Sequence, residues 1–349
     1  MTILFLARRF YPNMGGVETH VLEVGKRLVK SGHSVIVVTE ILSEKKLKKN
    51  YLKKQDIVNG IEIIRINVGS NDRFKKFRIW REFWKIRSTV NKADIIHCHD
   101  VFFWYLPFRF LYPGKRVFTT FHGYETNFPP SKKAVIIRKL SELLSNGNIC
   151  IGEYIKKWYG TKPNYVIYGG VEKLKDFSLK ENRHPIYKPK IVLIGRLEAD
   201  IGVKIYLKSL EFLKRRNSKF YFQALGDGSL KKEIKKYGKV LGFIENIGIV
   251  IKTSDIVFAS SYLLMLEALV LRKKIIAVFD NPLKEDYLKM SPFANFIYIC
   301  KNAKEVVQVI ESEQKSPWKN KSMIDNGYKW AKAQTWDEVV SIYLKLWRL

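Results

Sequence analysis

Runs of aliphatic residues alternate with longer amphipathic segments along the first half of the chain. Segments such as Gly16–Lys30 carry apolar side chains at helical spacing. Several of the runs are continuous in Ile and Val, as expected for strands covered by helices on both faces of a parallel sheet. The predicted strands are Thr2–Ala7, Ser34–Glu40, Ile61–Asn67, Ala93–His97, Arg116–Phe121, Asn148–Gly152 and Tyr165–Tyr168.

The same alternation restarts after a polar stretch that contains Pro185 and Pro189. Its predicted strands are Lys190–Gly195, Phe220–Leu225, Val240–Phe243, Asp255–Ala259, Lys274–Phe279 and Phe296–Cys300, followed by a helical element at Lys319–Leu349. We therefore predict an α/β protein with two Rossmann-like, doubly wound parallel-sheet domains at 1–172 and 190–330. A linker at 173–189 joins them, and a carboxy-terminal helix at 331–349 packs back toward the first domain.

Ligands of open parallel sheets bind beyond the carboxyl ends of the strands. Two such sheets joined by a single linker are expected to place these edges opposite each other. The cleft between the two domains is then the expected site.

Length and composition narrow the class of protein. With 349 residues and 46% hydrophobic content, the chain can bury two cores. No apolar run approaches the ~20 residues of a membrane span, and the apolar start leads into Arg8 and Arg9 as a first strand would. Cys98, Cys150 and Cys300 are widely spaced, which favours a reduced, cytoplasmic compartment over a disulfide framework or a metal site.

The formal net charge is +30, and the excess of cations is spread over both halves. Such a field attracts nucleotide phosphates, anionic lipids or nucleic acid. A lysine-rich surface of the kind found in heat-adapted proteins would explain it equally well. No nucleic-acid-binding motif is present, so a specific nucleic-acid partner is not expected.

Three segments of the first half carry candidate chemistry. Gly15 and Gly16 open the first helix, where a phosphate could approach the free backbone N–H groups, although a tight turn would also require glycines. The segments His97-Cys98-His99-Asp100 and Phe121-His122-Gly123-Tyr124-Glu125 each end a predicted strand. Histidines there could donate to a sugar hydroxyl or a departing phosphate. His97 and His99 would share one face of a strand and could form a metal-binding pair. No third residue of a metal-ligating type clusters near them in the sequence, so a metal site is not favoured.

The second half offers a cation and a carboxylate. Arg196 ends the first strand and could grip a diphosphate with its planar guanidinium. Gly226-Asp227-Gly228 ends the next strand and is most simply a turn. Glu267 lies one turn into an apolar helix, where it needs a partner such as ribose hydroxyls, a lysine or backbone donors.

Taken in order, these motifs resemble family 4 of the retaining glycosyltransferases over nearly the whole chain. They are Met14-Gly15-Gly16-Val17-Glu18, Asp94-Ile95-Ile96-His97, Phe121-His122-Gly123, Gly195-Arg196-Leu197, Gly226-Asp227-Gly228 and Leu266-Glu267-Ala268, with Ser31-Gly32-His33-Ser34-Val35 and Thr335-Trp336-Asp337. The resemblance implies the two-domain GT-B fold, metal-independent transfer from a UDP- or GDP-linked sugar and no further cofactor. The first domain would take the acceptor and the second the nucleotide sugar.

The resemblance also implies roles for individual residues. His122 would lie beside the transferred sugar and Arg196 would bind the diphosphate, both as catalytic residues. The donor would further contact Gly15, Gly16, Lys204, Leu263, Leu264 and Glu267. The acceptor-side candidates are His97, His99, Tyr124 and Glu125. The acceptor would be a glycan or a lipid-linked glycan.

Two departures from the family pattern concern the donor site. The family usually has a lysine five residues after the arginine, where this chain has Ile201, with Lys204 as the nearby substitute. It also has a glutamate eight residues before the second one, followed by Gly-Phe-Gly, where this chain has Ala259 and Ser260-Ser261-Tyr262. The chain is thus expected to be a divergent branch. A catalytically impaired nucleotide-sugar-binding protein of the same fold is the alternative.

A basic and aromatic segment suggests a membrane partner. In Arg73–Arg87, Phe77, Trp80 and Trp84 share one helical face, with basic residues between them. The aromatic stretch Val101–Phe110 lies near the acceptor-side edge. The alternative is that the helix simply packs on the first sheet. The expected partners therefore include an anionic membrane surface, with the protein peripheral on its cytoplasmic face.

Overall fold

The chain folds into two compact units. In this computed structural model the described residues are 1–13, 15–41, 54–123, 128–173, 188–244, 246–316 and 319–349. Unit 1 comprises Met1–Ile167 and Trp336–Leu349, and unit 2 comprises Tyr168–Thr335. The chain passes from the first unit to the second slightly before the predicted boundary at 172, and most of the predicted linker lies outside the described residues. The structure confirms the predicted α/β class with parallel sheets in two domains.

Unit 1 contains an eight-stranded sheet. Its strands are β1 Thr2–Ala7, β2 Ser34–Glu40, β3 Gln55–Val58, β4 Ile61–Ile66, β5 Ile95–His99, β6 Arg116–Phe121, β7 Gly147–Ile151 and β8 Tyr165–Ile167. Its helices are α1 Gly16–Lys30, α2 Lys75–Lys85, α3 Arg87–Lys92, α4 Phe102–Leu111, α5 Lys132–Leu144, α6 Tyr154–Tyr159 and, from the end of the chain, α14 Trp336–Trp347. The order β3-β4-β2-β1-β5-β6-β7-β8 is parallel except at β3, which runs antiparallel to β4.

The sequence pattern did not predict β3. Its four residues alternate between partly buried and exposed positions, so they lack the apolar run that marks the other strands. Asn59 and Gly60 join β3 to β4 with positive φ values of 52° and 78°. An Asn-Gly pair before an apolar strand is a strong hairpin signal and could have revealed the strand.

The strands of unit 1 are covered on both faces. The side chains of β1 from Ile3 to Ala7 are inaccessible to solvent. On one face α2 and α4 complete an apolar core that includes Phe83, Trp104 and Phe108. Helix α1 packs beside α14, and α14 contributes the buried side chains of Tyr343 and Trp347. The last residues of the chain thus form part of the core of the first unit.

Unit 2 contains a six-stranded, fully parallel sheet in the order β11-β10-β9-β12-β13-β14. The strands are β9 Lys190–Ile194, β10 Tyr221–Leu225, β11 Lys239–Val240, β12 Ile256–Phe258, β13 Lys274–Val278 and β14 Tyr298–Cys300. The helices are α7 Val203–Arg215, α8 Lys231–Ile234, α9 Ile247–Thr253, α10 Tyr262–Val270, α11 Pro282–Lys289, α12 Ala303–Lys315 and α13 Lys321–Ala333.

The helical element predicted at Lys319–Leu349 is two helices instead of one. Helix α13 ends at Ala333 and α14 begins at Trp336. Between them, the carbonyl of Gln334 accepts a hydrogen bond from the N–H of Val171, and Thr335 forms a bridge with Val171. This backbone pairing interrupts the helix at the point where the chain leaves unit 2.

Candidate active site

Each sheet has one topological switch point, where neighbouring strands connect in opposite directions. In unit 1 it lies at β1, between β2 and β5, and in unit 2 at β9, between β10 and β12. The crevice beyond the carboxyl ends of such strands is the usual ligand site of open α/β sheets. The candidate residues of the two units are described separately.

The loop after β1 leaves space for a ligand at the start of α1. Gly15 caps the helix with extended backbone and no side-chain hydrogen bond. A Cβ atom on Gly16 would meet nothing within 4 Å, whereas one on Gly15 would come within 2.5 Å of the Glu18 carboxylate. Burial raises the pKa of Glu18 above its ordinary value. The N–H groups of this turn are therefore accessible beside a carboxyl group that resists ionisation.

Four histidines converge at the carboxyl ends of β5 and β6. The rings of His97 and His99 stack with centroids 5.0 Å apart on the same face of β5. His122 follows β6, and its ring lies 5.1 Å from that of His99. His20 comes from α1 and meets His122 edge to face at 4.9 Å.

A directed hydrogen-bond chain runs through this cluster. The indole N–H of Trp347 donates to His97 Nδ1 at 3.1 Å, so the proton of the neutral His97 ring must be on Nε2. His97 Nε2 then donates to Thr120 Oγ1 at 2.7 Å. Thr120 Oγ1 lies 2.9 Å from the Tyr343 hydroxyl, which lies 2.9 Å from His20 Nε2. Both hydroxyl protons find an acceptor when Thr120 donates to Tyr343 and Tyr343 to His20, which assigns the proton of His20 to Nδ1.

A second pair joins His99 to His122. His99 Nδ1 and His122 Nε2 are 2.8 Å apart and share one proton. The backbone N–H of His122 donates to the carboxylate of Asp100, which has the left-handed φ of 60° at the end of β5. His99 Nε2 is buried without a partner among the described residues, so it is better left as an unprotonated acceptor. The shared proton then belongs to His99 Nδ1, and His122 carries its own proton on Nδ1.

Burial keeps all four imidazoles neutral at physiological pH. It lowers the pKa of His20 to about 3. Burial and the neighbouring histidines lower the pKa values of His97, His99 and His122 well below the ordinary value. A neutral imidazole is a hydrogen-bond donor and acceptor with no charge to neutralise. The cluster is therefore suited to orienting polar groups, and it supplies no cation to a phosphate.

The structure separates the acceptor-side candidates of the sequence analysis. His97 was expected at the edge of the sheet, but β5 extends to His99, and His97 is fully enclosed between Thr120 and Trp347. His99 is also buried, while His122 is partly exposed. Tyr124 and Glu125 lie outside the described residues. Sequence reasoning missed His20, because a histidine within a helix has no local signature until its partner Tyr343 is placed beside it.

In unit 2 two glycine-containing loops lie against each other beyond β9 and β10. A Cβ atom on Gly226 would come within 1.9 Å of the carbonyl oxygen of Gly195. Both residues have φ values above 130°, where only glycine is unstrained. The N–H of Leu197 donates to the carbonyl of Asp227 at 3.0 Å. Gly226-Asp227-Gly228 is therefore a structural turn that supports the loop of Arg196.

Arg196 lies at the mouth of a cavity of about 460 Å³. The cavity is lined by Arg196, Glu198, Ala199, Asp200 and Asp227. The guanidinium of Arg196 is exposed and pairs with Asp200 at 2.9 Å. Asp227 pairs with Lys231 at 3.1 Å, and the Glu198 carboxylate accepts from the N–H and hydroxyl of Ser229. An incoming diphosphate would displace Asp200 from the guanidinium and approach several carboxylates.

The two departures from the family pattern lie at this switch point. Ile201 ends a 3₁₀ turn, and its side chain lies 3.7 Å from the position of a Cβ on Gly195. Lys204 is exposed in the first turn of α7, which begins after Gly202 with φ 84°. Ala259 is fully buried beyond β12, with its carbonyl near the hydroxyl of Tyr206. Lys204, three residues after Ile201, is an exposed candidate for a second cation near Arg196.

Helix α10 carries the remaining donor candidates. Its start follows the extended Ser261, and Tyr262 stacks on Tyr287 with ring centroids 4.0 Å apart. Leu264 is buried, so only its backbone could reach a donor, while Leu263 is partly exposed. Burial raises the pKa of Glu267 to about 7, and among the described residues the carboxyl has no cation or hydrogen-bond partner. Glu267 is poised to accept hydrogen bonds from hydroxyl groups of a ligand.

Neither unit offers a metal centre among the described residues. No group of three or more His, Cys, Asp or Glu side chains in the parts of the chain that the structure describes is arranged to hold a metal ion. The three cysteines are free and buried. None of the described helices has the length and apolar character needed to span a bilayer.

Comparison with known proteins relates the first part of the chain to a known family. Residues 14–173 match the model of Glycosyltransferase Family 4. This stretch, most of it in the first unit, is therefore similar to glycosyltransferase family 4. A glycosyltransferase from Rickettsia africae superposes with a TM-score of 0.66 at 18% identity, covering 99% of this chain and 98% of that one. Anabaena HepE, solved in complex with UDP and glucose, superposes with a TM-score of 0.71 at 15% identity over 98% and 99% of the two chains.

These superpositions show that this chain has the GT-B fold. Local sequence matches connect it to two curated relatives. One subunit of the human phosphatidylinositol N-acetylglucosaminyltransferase is 49% identical over 37 residues, 11% of this chain and 8% of the relative. The GPI3 subunit of the Saccharomyces cerevisiae phosphatidylinositol N-acetylglucosaminyltransferase is 27% identical over 100 residues, 28% of this chain and 21% of the relative. The matched regions are thus small fractions of these relatives.

Proposed function

We propose that this protein is a glycosyltransferase that moves a hexosyl group from a UDP- or GDP-linked sugar to a hydroxyl of a glycan or lipid-linked glycan. The transfer retains the anomeric configuration and requires no metal. The observation that carries the proposal is the position of Arg196 at the switch point of unit 2, exposed at the mouth of a cavity. A planar guanidinium binds two phosphate oxygens at once.

The donor is held by unit 2. Arg196 binds the diphosphate and stabilises the charge that develops on it as the sugar leaves. Lys204 and the start of α7 add positive potential to the same region. The ionised carboxylate of Glu267 accepts hydrogen bonds from the ribose hydroxyls, which supply the partner that it lacks among the described residues.

Unit 1 contributes a polar surface for the reacting groups. The assigned tautomers leave the Nδ1–H of His122 free to donate to a sugar hydroxyl. The backbone at Gly15 and Gly16 has room for a phosphate or for the acceptor. His99 acts as a positioning residue because it holds the His122 ring in place.

The configuration at the anomeric carbon is retained without a covalent bond between the sugar and the enzyme. The acceptor hydroxyl attacks the anomeric carbon on the face that the diphosphate leaves. Its proton passes to the departing phosphate oxygen as the bond to that oxygen breaks. Electrostatic stabilisation of the leaving diphosphate by Arg196 is then the main contribution of the protein.

The names of the relatives favour one kind of donor and of acceptor. One structural neighbour was solved with UDP and glucose, and the matched curated proteins are named for transfer of N-acetylglucosamine to phosphatidylinositol. We propose a UDP-linked donor and an acceptor presented at the cytoplasmic face of a membrane.

A thermal-shift titration with UDP, GDP, ADP and TDP tests the donor site. A ligand at a hundred times its Kd stabilises the folded state by about 2.7 kcal/mol. We expect one nucleotide to raise the melting temperature of the wild type and to lose this effect in Arg196→Ala. Arg215→Ala is the matched control, because Arg215 is also exposed and also pairs with a carboxylate four residues away. An unchanged nucleotide shift in Arg196→Ala would overturn the assignment of the donor site.

A nucleotide-sugar-binding protein without turnover is the second candidate. Three observations favour this candidate. Position 201 is the apolar Ile201, position 259 has Ala259 instead of a carboxylate, and Arg196 is already paired with Asp200. Release of free UDP or GDP from the matching nucleotide sugar, measured with membrane extracts as acceptor, separates the two. Nucleotide binding that depends on Arg196 with no turnover would support the binding protein.

A further inference from the structure

Three neighbouring helices of unit 1 form a continuous outer face. The indole N–H of Trp80 in α2 donates to the carbonyl of Phe103 in α4 at 3.0 Å. The guanidinium of Arg109 in α4 donates to the carbonyl of Leu144 at the end of α5 at 2.9 Å. Helices α2, α4 and α5 are thereby joined side by side. Of the aromatic face predicted for α2, Phe77 and Trp84 are exposed, whereas Trp80 is partly buried.

Large apolar side chains project from all three helices of this face. On α5, Ile136, Leu140 and Leu143 repeat at the spacing of one helical face, and Leu143 is 78% exposed. The opposite side of α5 buries Arg138 and Ser141. The exposed apolar residues of the face are Phe74, Phe77, Trp84, Phe110, Leu111, Ile136, Ile137, Leu140 and Leu143. Exposed apolar side chains on adjoining helices are typical of an interaction surface.

The charge of the face is positive and unbalanced. The only acidic residues in the sequences of the three helices are Glu82 and Glu142, and each is paired with a lysine of its own helix at 2.5 and 3.0 Å. Lys132 and Lys133 at the start of α5 are exposed and make no ion pair with a described residue. Lys76 and Arg81 are exposed on α2. Arg81 lies 3.9 Å from the Glu82 carboxylate, so Lys132 and Lys133 are the clearest unpaired cations beside the apolar side chains.

We propose that the face formed by α2, α4 and α5 docks onto an anionic lipid bilayer. The apolar side chains enter the boundary between head groups and acyl chains, and Lys132, Lys133 and their neighbours pair with anionic head groups. A bilayer surface can bind apolar and basic side chains that lie in one plane. A nucleic acid would bind the basic side chains but would leave the leucines exposed to water. The sequence predicted a membrane contact through α2, and the exposed side chains of α5 enlarge that contact surface. Its use in reaching a lipid-linked acceptor rests on the proposed function.

Flotation with vesicles of 70% phosphatidylcholine and 30% phosphatidylglycerol at 0.15 M salt tests the surface. The wild type should float with these vesicles and not with pure phosphatidylcholine. Replacing Ile136, Leu140 and Leu143 by serine should lower the partition coefficient by about tenfold or more, because each removes apolar area from the interface. The control replaces Phe243 and Ile249, which are equally exposed but belong to unit 2.

A charge test separates the surface from the general field of the +30 chain. Lys132→Glu with Lys133→Glu should lower partitioning by about tenfold or more, at roughly fivefold to tenfold per lysine. Lys235→Glu with Lys236→Glu changes the net charge equally at exposed positions of unit 2 and should leave partitioning nearly unchanged. Equal losses from the two pairs would mean that only the dispersed field attracts the vesicles, and would overturn the proposal.

A site-specific probe reports insertion directly. Since the three native thiols are buried, Leu143→Cys can be labelled selectively with an environment-sensitive fluorophore. Its emission should shift to the blue on the anionic vesicles, while a label at Ile249→Cys should not respond. No response at Leu143→Cys would overturn the proposal that this face enters a bilayer. Self-association of the wild type that the triple serine variant abolishes would also overturn it, and would show that the face binds a second copy of the chain.

Vesicle binding by the α2, α4 and α5 face can be tested separately from nucleotide binding at the donor site. The triple serine variant should retain the nucleotide-induced thermal shift of the wild type. Arg196→Ala should retain vesicle binding. Failure of the vesicle assay with an intact nucleotide shift would thus refute the docking surface alone, and the reverse result would refute the donor site alone.

Discussion

The hydroxyl of Tyr343 lies 2.9 Å from Nε2 of His20 and so joins the last helix of the chain to the first. Through Thr120 the same hydroxyl is connected to His97 and Trp347. Because the indole can only donate, the direction of the whole chain follows from this end. Helix α14 therefore determines the tautomers of two buried histidines beside the candidate catalytic His122.

Tyr343→Phe removes the hydroxyl without changing the shape of the side chain. Thr120 loses its acceptor and His20 loses its donor, so we expect the free energy of unfolding to fall by about 1–3 kcal/mol. His20 should then exchange between its two neutral tautomers, which ¹⁵N chemical shifts of the ring nitrogens report directly. We expect a lower kcat with an unchanged nucleotide affinity.

Tyr206→Phe provides the matched control. Tyr206 is also fully buried, and its hydroxyl donates to the carbonyl of Ile276 at 2.9 Å in unit 2. The substitution should cost similar stability and leave the histidine spectrum unchanged. An unaltered His20 spectrum in Tyr343→Phe would contradict the directed chain.

His20 should make unit 1 sensitive to acid. Its pKa is about 3 in the folded protein, below the ordinary value of 6.5. Stability from the neutral ring is therefore complete above pH 6.5 and is lost as the pH falls toward 3, by about 3 kcal/mol at pH 4.5. His20→Gln keeps an acceptor for Tyr343 and does not titrate, so its acid-unfolding midpoint should lie at lower pH than that of the wild type.

His33→Gln serves as the comparison for acid unfolding, followed by tryptophan fluorescence. His33 is partly exposed and is not a member of the buried cluster. Its substitution should leave the midpoint nearly unchanged. A midpoint of His20→Gln at or above that of the wild type would show that protonation of His20 does not limit the stability of unit 1.

Glu267 should couple nucleotide binding to pH. Its pKa is raised to about 7 from 4.5, so the stability that comes from the protonated form is present below pH 4.5 and is lost as the pH rises through 7. Hydrogen bonds from ribose hydroxyls favour the ionised form. Nucleotide affinity, measured by calorimetry, should therefore increase between pH 6 and 8, by up to about tenfold.

Glu267→Gln removes the titration while keeping the size of the side chain. The variant should bind nucleotide more weakly at pH 8, and the ratio of wild-type to variant affinity should fall toward pH 6. Protonation of the nucleotide phosphate affects the affinity of both proteins equally, so its effect cancels in this ratio. A constant ratio across this range would place the ribose elsewhere.

Asp200 competes with the diphosphate for Arg196. The two side chains pair at 2.9 Å, and both are near the surface, where such a pair is worth up to about 1 kcal/mol. Asp200→Asn should free the guanidinium and raise nucleotide affinity by about threefold to fivefold, measured by calorimetry at 0.15 M salt. Glu211→Gln, which frees Arg215 in the same way, should have no effect. Weaker binding in Asp200→Asn would show that Asp200 supports the site.

Several elements could be predicted from the sequence because their signals are local. Continuous apolar runs gave the bounds of β1, β2 and β6, and helical spacing gave those of α1. Arg196 and His122 could be proposed as site residues because a polar residue at the carboxyl end of a buried parallel strand lies at an open edge. The hairpin of β3 was missed because its strand is half exposed and has no apolar run.

By itself the sequence determined the two α/β units and the residue types present at the ends of the strands, because periodicity and residue type act over a few neighbouring positions. Only the tertiary structure decided that His97 is enclosed and that His20 joins Tyr343, since the partners lie 323 residues apart along the chain. It also decided which aromatic side chains of α2 remain exposed and that α5 extends the same face. Contacts between distant segments, and the burial they produce, have no local pattern from which they could be predicted.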